Sequence, residues 1–260
     1  MSARARGCGA RSDGSAFRAP RSAFDRLVFV TGTDTGVGKT VVAALLTHHL
    51  RQAGLRVAAL KPICSGGRGD ARALRAAGGG ALTLDEVNPW HFRAALAPLL
   101  AARGEGRPVR LAQVAAHVRR VQKRFDYLLV EGAGGLLSPL GEGFSSRELL
   151  TTLRATPVVV CPNRLGALNQ VLLVLAALAP ALARRAIVVL TAPRRANLVS
   201  RANLDLLATH VPAERVVEVP RLPPGARLES ALSRPAVRRA LDALARVSAR
   251  VVSLLPRGRR

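Results

Sequence analysis

The sequence predicts a doubly wound α/β domain, a mostly parallel sheet with helices on both faces. Three observations predict it. Strand-length runs such as 27–31 and 157–161 are continuously apolar rather than alternating, as in strands covered on both faces. Helix-length segments separate these runs in near-regular β-α alternation. The glycine-rich and charged clusters fall directly after strands, where open parallel sheets bind ligands.

The elements follow in order. Residues 27–31 form a short strand that runs into a glycine-rich loop, and a helix over 40–52 follows until Gly54 stops it. The strand 57–60 enters Lys61-Pro62. A short helix over 70–77 is broken by Gly78-Gly79-Gly80. The stretch 78–108 reads as irregular, an inserted loop region over the site. Apolar spacing predicts an amphipathic helix over 111–124, then a strand over 127–130 that ends at Glu131. A helix over 146–154 leads to the strand 157–161. The uncharged run 165–182 reaches the length of a membrane-span candidate. It holds Asn169, Gln170 and Pro180 and lies between strands, so a buried crossover helix over 166–179 is expected and no membrane span. The strand 186–190, the helix 200–210, the strand 216–219 and a terminal helix over 235–247 complete the pattern. One domain is expected over 24–250. Residues 1–23 read as a disordered Arg-rich extension and 251–260 as a basic tail.

At 260 residues and 49% apolar content the chain can build one large core. Its net charge of +24 raises nucleic acid as a partner. Two features argue against that. Aromatic residues are only 3%, too few for base-stacking platforms, and the basic residues are spread along the whole chain. No nucleic-acid partner is expected. The cysteines Cys8, Cys64 and Cys161 have neither metal-ligand nor disulfide spacing, which points to a reducing cytoplasm. Of 40 basic residues only Lys39, Lys61 and Lys123 are lysine. Two of the three stand after strands, where a compact ammonium is not interchangeable with a guanidinium.

Residues Gly32-Thr33-Asp34-Thr35-Gly36-Val37-Gly38-Lys39-Thr40 join a strand to a helix. That context marks a phosphate-binding loop. Backbone N–H groups and the helix start would cradle phosphates, Lys39 would reach the terminal ones, and Thr40 would offer a hydroxyl to Mg²⁺. Thr33 stands where the general motif has glycine, with Gly32 one place earlier. Partition-type ATPases carry a lysine early in this loop; the aligned residue here is Asp34, which cannot neutralise a partner's phosphate. Mg²⁺ needs further oxygen ligands, and Asp70 and Glu131 stand after strands to supply them. The run Gly132-Ala133-Gly134-Gly135 lets backbone approach a ligand. Lys61, at a strand end, suits stabilisation of developing negative charge. The five histidines read as structural.

Together these residues resemble the ATP-dependent dethiobiotin synthetases. The resemblance rests on the loop 32–40, Lys61-Pro62 with Ser65-Gly66, Asp70, Asn88-Pro89, 130–135 with Ser138-Pro139-Leu140, Leu165-Gly166 with Asn169, and Glu218-Val219-Pro220. It covers roughly residues 27–222. It implies a homodimer that uses ATP, Mg²⁺ and CO₂ on 7,8-diaminopelargonate. A carbamate forms on one amine, is phosphorylated, and is closed by the second amine. By matching position, Thr40, Asp70 and Glu131 would hold the metal. Lys39 and Lys61 would steady the phosphoryl group and carbamate, and Thr35 and Ser65 would position diamine and carbamate. Asp34 to Thr40 with Glu131, Gly132 and Gly134 would bind the nucleotide. Gly166 and Asn169 would receive the substrate's distal carboxylate. Thr191 stands where the family reads the adenine with an asparagine, so it would supply one hydrogen bond at most in place of an amide's two faces. Ala97-Pro98-Leu99 and Glu148 also depart from the family pattern. A drifted paralogue with altered substrate or nucleotide, and a partition-type ATPase, are the alternative readings. A cobyrinate-type amidotransferase would need a glutaminase domain that the chain is too short to hold.

Overall fold

The computed structural model describes residues 26–222 and 228–253. The chain opens with β1 (Leu27–Gly32), α1 (Lys39–Gln52), β2 (Val57–Leu60), β3 (Ile63–Ser65) and α2 (Gly69–Ala77). Next come α3 (Leu84–Val87), β4 (Trp90–Phe92), α4 (Pro98–Gly104), α5 (Leu111–Gln122) and β5 (Tyr127–Glu131). A small hairpin, β6 (Pro139–Gly141) and β7 (Phe144–Ser145), leads to α6 (Ser146–Leu153) and β8 (Thr156–Pro162). The remainder is α7 (Ala167–Ala177), α8 (Pro180–Ala183), β9 (Ile187–Thr191), α9 (Leu198–Ala208), β10 (Val216–Val219), α10 (Leu228–Leu232) and α11 (Pro235–Ser253).

Among the described residues, six strands form one sheet in the order β10-β9-β8-β1-β5-β2, and every pair is parallel. Every residue of the central strands β1 and β5 is buried, with Phe29 and Val30 at 0% exposure. This is the pattern the continuous apolar runs predict. The chain places β5 on one side of β1 and β8 on the other. The crevice beyond the carboxyl end of β1 is therefore the switch point at which doubly wound sheets bind ligands. The loop 33–38 lies there.

Three expectations change. The stretch 78–108 is not irregular. Thr83 and Glu86 form a capping box that starts α3, β4 pairs in parallel with β3, and Pro98 opens α4. Only its 95–98 segment reaches the ligand crevice. The helix α7 is a crossover as expected, but only Ala167 and Val171 in it are buried, and Leu173 is 62% exposed. The last helix runs to Ser253 rather than ending at 247, so the expected domain limit at 250 falls inside it. The Arg-rich extension 1–23 and residues 254–260 lie outside the described residues. Among the described residues no helix is long and apolar enough to cross a membrane.

Candidate active site

The phosphate loop takes its shape from local sequence. Gly38 is the N-cap of α1 with φ of 102°, a left-handed conformation that an L side chain adopts only under strain. Gly32 accommodates close packing: a Cβ there would stand 2.6 Å from Val37 Cγ2 and 3.2 Å from the Lys39 stem. The glycine one place early in the motif is thus the residue the loop's own side chains require. Lys39 is buried, and its ammonium donates to Asp34 O at 2.7 Å across the mouth of the loop. Burial holds its pKa below the ordinary lysine value, with Glu131 opposing. An anion seated in the loop would offset that cost. Asp34 and Thr35 are exposed, and the Thr35 N–H donates to Asp34 Oδ1 at 2.6 Å.

Glu131, the last residue of β5, is the hub of the site. Its Oε1 accepts from Thr40 Oγ1 at 2.8 Å and from Lys61 Nζ at 2.6 Å. Lys61 Nζ also donates to Asp70 Oδ2 at 2.5 Å. Glu131 is 2% exposed, whereas the Asp70 side chain is 51% exposed. Burial pushes the Glu131 carboxyl up, with Lys61 opposing. Burial likewise works against the Lys61 charge, but Glu131 and Asp70 outweigh it and hold its pKa above the ordinary value. Lys61 therefore carries its proton at neutral pH. Glu131 Oε2 is buried without a hydrogen-bond partner. A carboxylate oxygen left so pays a desolvation cost that a bound cation or water would offset. Thr40, Asp70 and Glu131 thus present a hydroxyl, an exposed carboxylate and an unsatisfied carboxylate oxygen together. That donor set suits Mg²⁺, which favours one or two carboxylates, waters and substrate phosphates. Among the described residues no three His, Cys, Asp or Glu gather into a cage for a metal ion.

These groups line a cleft of about 690 Å³. The structure brings Thr35, Gly36, Gly38, Lys39, Thr40, Lys61, Ser65, Asp70, Glu131 and Gly134 to it. Ser65 Oγ donates to Leu96 O at 2.5 Å and so latches the apolar wall Ala95-Leu96-Ala97-Pro98 over the mouth. Asp34, Val37, Gly132, Gly166, Asn169 and Thr191 do not line this cleft, and Asp34 faces a neighbouring pocket with Gly135 and Gln170. Thr191 lies on the other side of the loop, its Oγ1 3.4 Å from Val37 O. Gly166 caps α7 at its exposed start, and Asn169 is exposed on the first turn. Gly132 packs behind Glu131 against the start of α6, where a Cβ would stand 2.6 Å from Ser146 Oγ. The histidines brace the scaffold: His91 Nε2 meets Gly66 O at 2.7 Å, and His117 Nε2 meets Glu86 O at 2.8 Å.

Sequence reasoning gave no role to three contributors, although Ser138 stands in a motif it singled out. Ser138 Oγ accepts from Gly135 N at 2.9 Å and pins the glycine run beside the loop. Cys64 lines the cleft. Arg68, in a chain with arginine everywhere, carried no signal, yet its guanidinium ties together the segment behind Lys61 and Asp70.

The AAA-domain family model matches residues 26–227. An ATP-dependent dethiobiotin synthetase BioD of Anaeromyxobacter dehalogenans is 45% identical over 157 residues, 59% of this chain and 70% of that protein. The protein of the same name from Pseudomonas paraeruginosa is 42% identical over 211 residues, 75% of this chain and 89% of its own length. The chain belongs to the ATP-dependent dethiobiotin synthetase family. Solved structures reproduce the fold alone. The MinC:MinD cell division complex of Aquifex aeolicus aligns with a TM-score of 0.54 at 16% identity, over 90% of this chain and 99% of that one. A ParA family ATPase from Chlorobium tepidum aligns with a TM-score of 0.51 at 16% identity, over 90% of this chain and all of that one. As a dethiobiotin synthetase the chain is a ligase that forms carbon–nitrogen bonds at the expense of a nucleoside triphosphate.

Proposed function

We propose that the cleft carboxylates and closes 7,8-diaminopelargonate to dethiobiotin, with Lys39 and Lys61 as its two working cations. The observation that carries this reading is the placement of Lys61. Its ammonium bridges Glu131 and Asp70 at the cleft floor, near the Lys39 side of the phosphate loop. One amine of the substrate takes up CO₂ to give a carbamate and releases a proton. A carbamate oxygen attacks the γ-phosphorus of ATP, and ADP leaves. The second amine attacks the carbamyl carbon, phosphate leaves, and the ureido ring is closed. Each stage is anionic, and a fixed ammonium in a sheltered site stabilises it without a protein nucleophile.

Lys39 binds the terminal phosphates once its bond to Asp34 O is exchanged for them. Lys61 holds the carbamate and the transferring phosphoryl group. Thr35 and the lone pairs of Ser65 orient the diamine, whose aliphatic chain suits the apolar wall at 95–98. Thr40, Asp70 and Glu131 would hold Mg²⁺, which supplies charge neutralisation of the phosphate oxygens when bound. The orphaned Glu131 Oε2 supports that assignment. Gly166 and Asn169 lie outside their own chain's cleft, so a role on the distal carboxylate would use a second chain. A homodimer accords with Leu165 at 82% exposure and with the exposed Leu137 and Leu173, which line one surface pocket. The buried free thiols Cys64 and Cys161 accord with a reducing cytoplasm. Nucleic acid has no part in this reading.

Complementation tests it. The gene should restore growth without biotin to a strain lacking this step, and Lys39→Ala and Glu131→Ala should each abolish rescue. Full rescue by either variant would refute the site assignment. Absence of rescue by a well-expressed, ATP-binding wild-type chain would refute the activity.

A further inference from the structure

The strand β2 loses its sheet support at Leu60, which is in register with Val130 near the end of β5. Lys61 and Pro62 therefore leave β2 with backbone groups that the sheet no longer satisfies. Residues 87–90 satisfy them. Lys61 N donates to Val87 O at 3.0 Å, and Trp90 N donates to Pro62 O at 3.0 Å. Between these two, the Asn88 amide donates from Nδ2 to Lys61 O at 2.8 Å. Asn88 is 1% exposed. Its Oδ1 accepts from Arg68 Nε at 3.2 Å and from Cys64 Sγ at 3.2 Å.

Arg68 spreads its guanidinium over the same segment. Nη2 donates to Leu84 O and Asn88 O, each at 3.0 Å, and to Asp85 Oδ1 at 2.8 Å. Arg68 is the N-cap residue of α2, and Asp70 stands in the first turn of that helix. One amide thus anchors the main chain of Lys61, and one guanidinium bonded to that amide anchors the helix start that carries Asp70. Neither side chain lines the cleft.

We propose that Asn88 and Arg68 are positioning residues that hold Lys61 and Asp70 at their bonding distance for the ring-closure reaction. The proposal rests on the reading of Lys61 given above. A lysine cannot replace the planar fork that serves Asn88 and the carbonyls of Leu84 and Asn88 together. An aspartate at 88 keeps the size and the acceptor for Arg68 but loses the donor to Lys61 O.

The test uses the full chain with Asn88→Asp, Arg68→Lys, Lys61→Ala and the double variant Asn88→Asp/Lys61→Ala. The first two should lower kcat on the order of 10–100-fold, the scale expected of a misplaced catalytic group. The ATP dissociation constant should change less than about twofold, since the phosphate loop is untouched. Asn88→Asp should cost nothing further in the Lys61→Ala background. Undiminished kcat, a loss that adds in full to that of Lys61→Ala, or a parallel loss of ATP affinity would overturn the proposal. A substrate-free readout separates it from the functional reading. The chain has only three lysines, so ¹⁵N-lysine labelling isolates the Lys61 ammonium signal. That signal should shift or broaden in Asn88→Asp and Arg68→Lys while Lys39 stays in place, whether or not the wild type closes a ring. An unchanged Lys61 signal overturns the clamp, whereas a wild type that binds ATP without forming product overturns only the activity.

Discussion

Glu148→Gln offers a quantitative check on how the scaffold behind the site is held. Glu148 is the third residue of α6 and closes a capping box with Ser145. Its Oε2 accepts from Ser145 N at 2.8 Å and from Ser145 Oγ at 2.6 Å, and its Oε1 accepts from Arg147 Nε at 2.7 Å. Partial burial pushes the carboxyl up, but the Ser145 hydroxyl and the Arg147 guanidinium outweigh it and hold the pKa down at about 2. A carboxyl that falls from 4.5 in the unfolded chain to about 2 in the folded one is worth at most about 3 kcal/mol at neutral pH. The side chain is 30% exposed, so solvent screening reduces that to about 1–2 kcal/mol. The folded pKa is depressed. Its contribution is therefore complete above pH 4.5 and is lost as pH falls from there toward 2. Glutamine also fits the third position of a capping box, so the substitution removes chiefly the charge. Urea unfolding followed by the single tryptophan, Trp90, should show the variant about 1–2 kcal/mol less stable at pH 7. The two proteins should converge as pH approaches 2. A difference that stays constant from neutral pH into that acid range, or no difference at neutral pH, would refute the reasoning.

The other predictions concern the cleft directly. Lys39→Met keeps the packed stem and removes a charge that burial disfavours. The free chain should unfold at no lower urea concentration than wild type, yet lose the stabilisation of about 2.7 kcal/mol that ATP at a hundred times its dissociation constant gives wild type. Calorimetry that still detects wild-type ATP affinity would contradict this. Gly38→Ala forces an L residue to φ of 102° and brings a methyl group to 3.2 Å from Thr191 Cγ2, which should cost about 1–3 kcal/mol in unfolding measurements. Chelating divalent cations should stop product formation, and adding Mg²⁺ should restore it. Undiminished turnover under chelation would remove Thr40, Asp70 and Glu131 from the roles given them.

Much of the site was legible because phosphate binding is local. The loop 32–40 would bind with consecutive backbone groups, so its geometry is written in consecutive residues. Glu131 and Lys61 were legible for a related reason. Parallel strands bring their carboxyl ends to one edge, and a charged residue ending an apolar run falls there whatever the strand order. The segment 78–108 was misread because α3 has four residues and β4 three, too short for any periodicity to show. The exposed face of α7 was misread because an apolar helix looks the same in sequence whether or not the core covers it.

The sequence by itself determined the α/β class, the phosphate loop and the identity of the charged groups at the strand ends. Each depends on residues close together along the chain. The tertiary structure alone decided how those groups meet. Glu131 lies 91 residues from Thr40 and 70 from Lys61, and one of its oxygens bonds both. Arg68 and Asn88, 20 residues apart, join behind them. Such contacts are set by the strand order and by where β2 runs out of partners, and neither property is carried by any single stretch of residues.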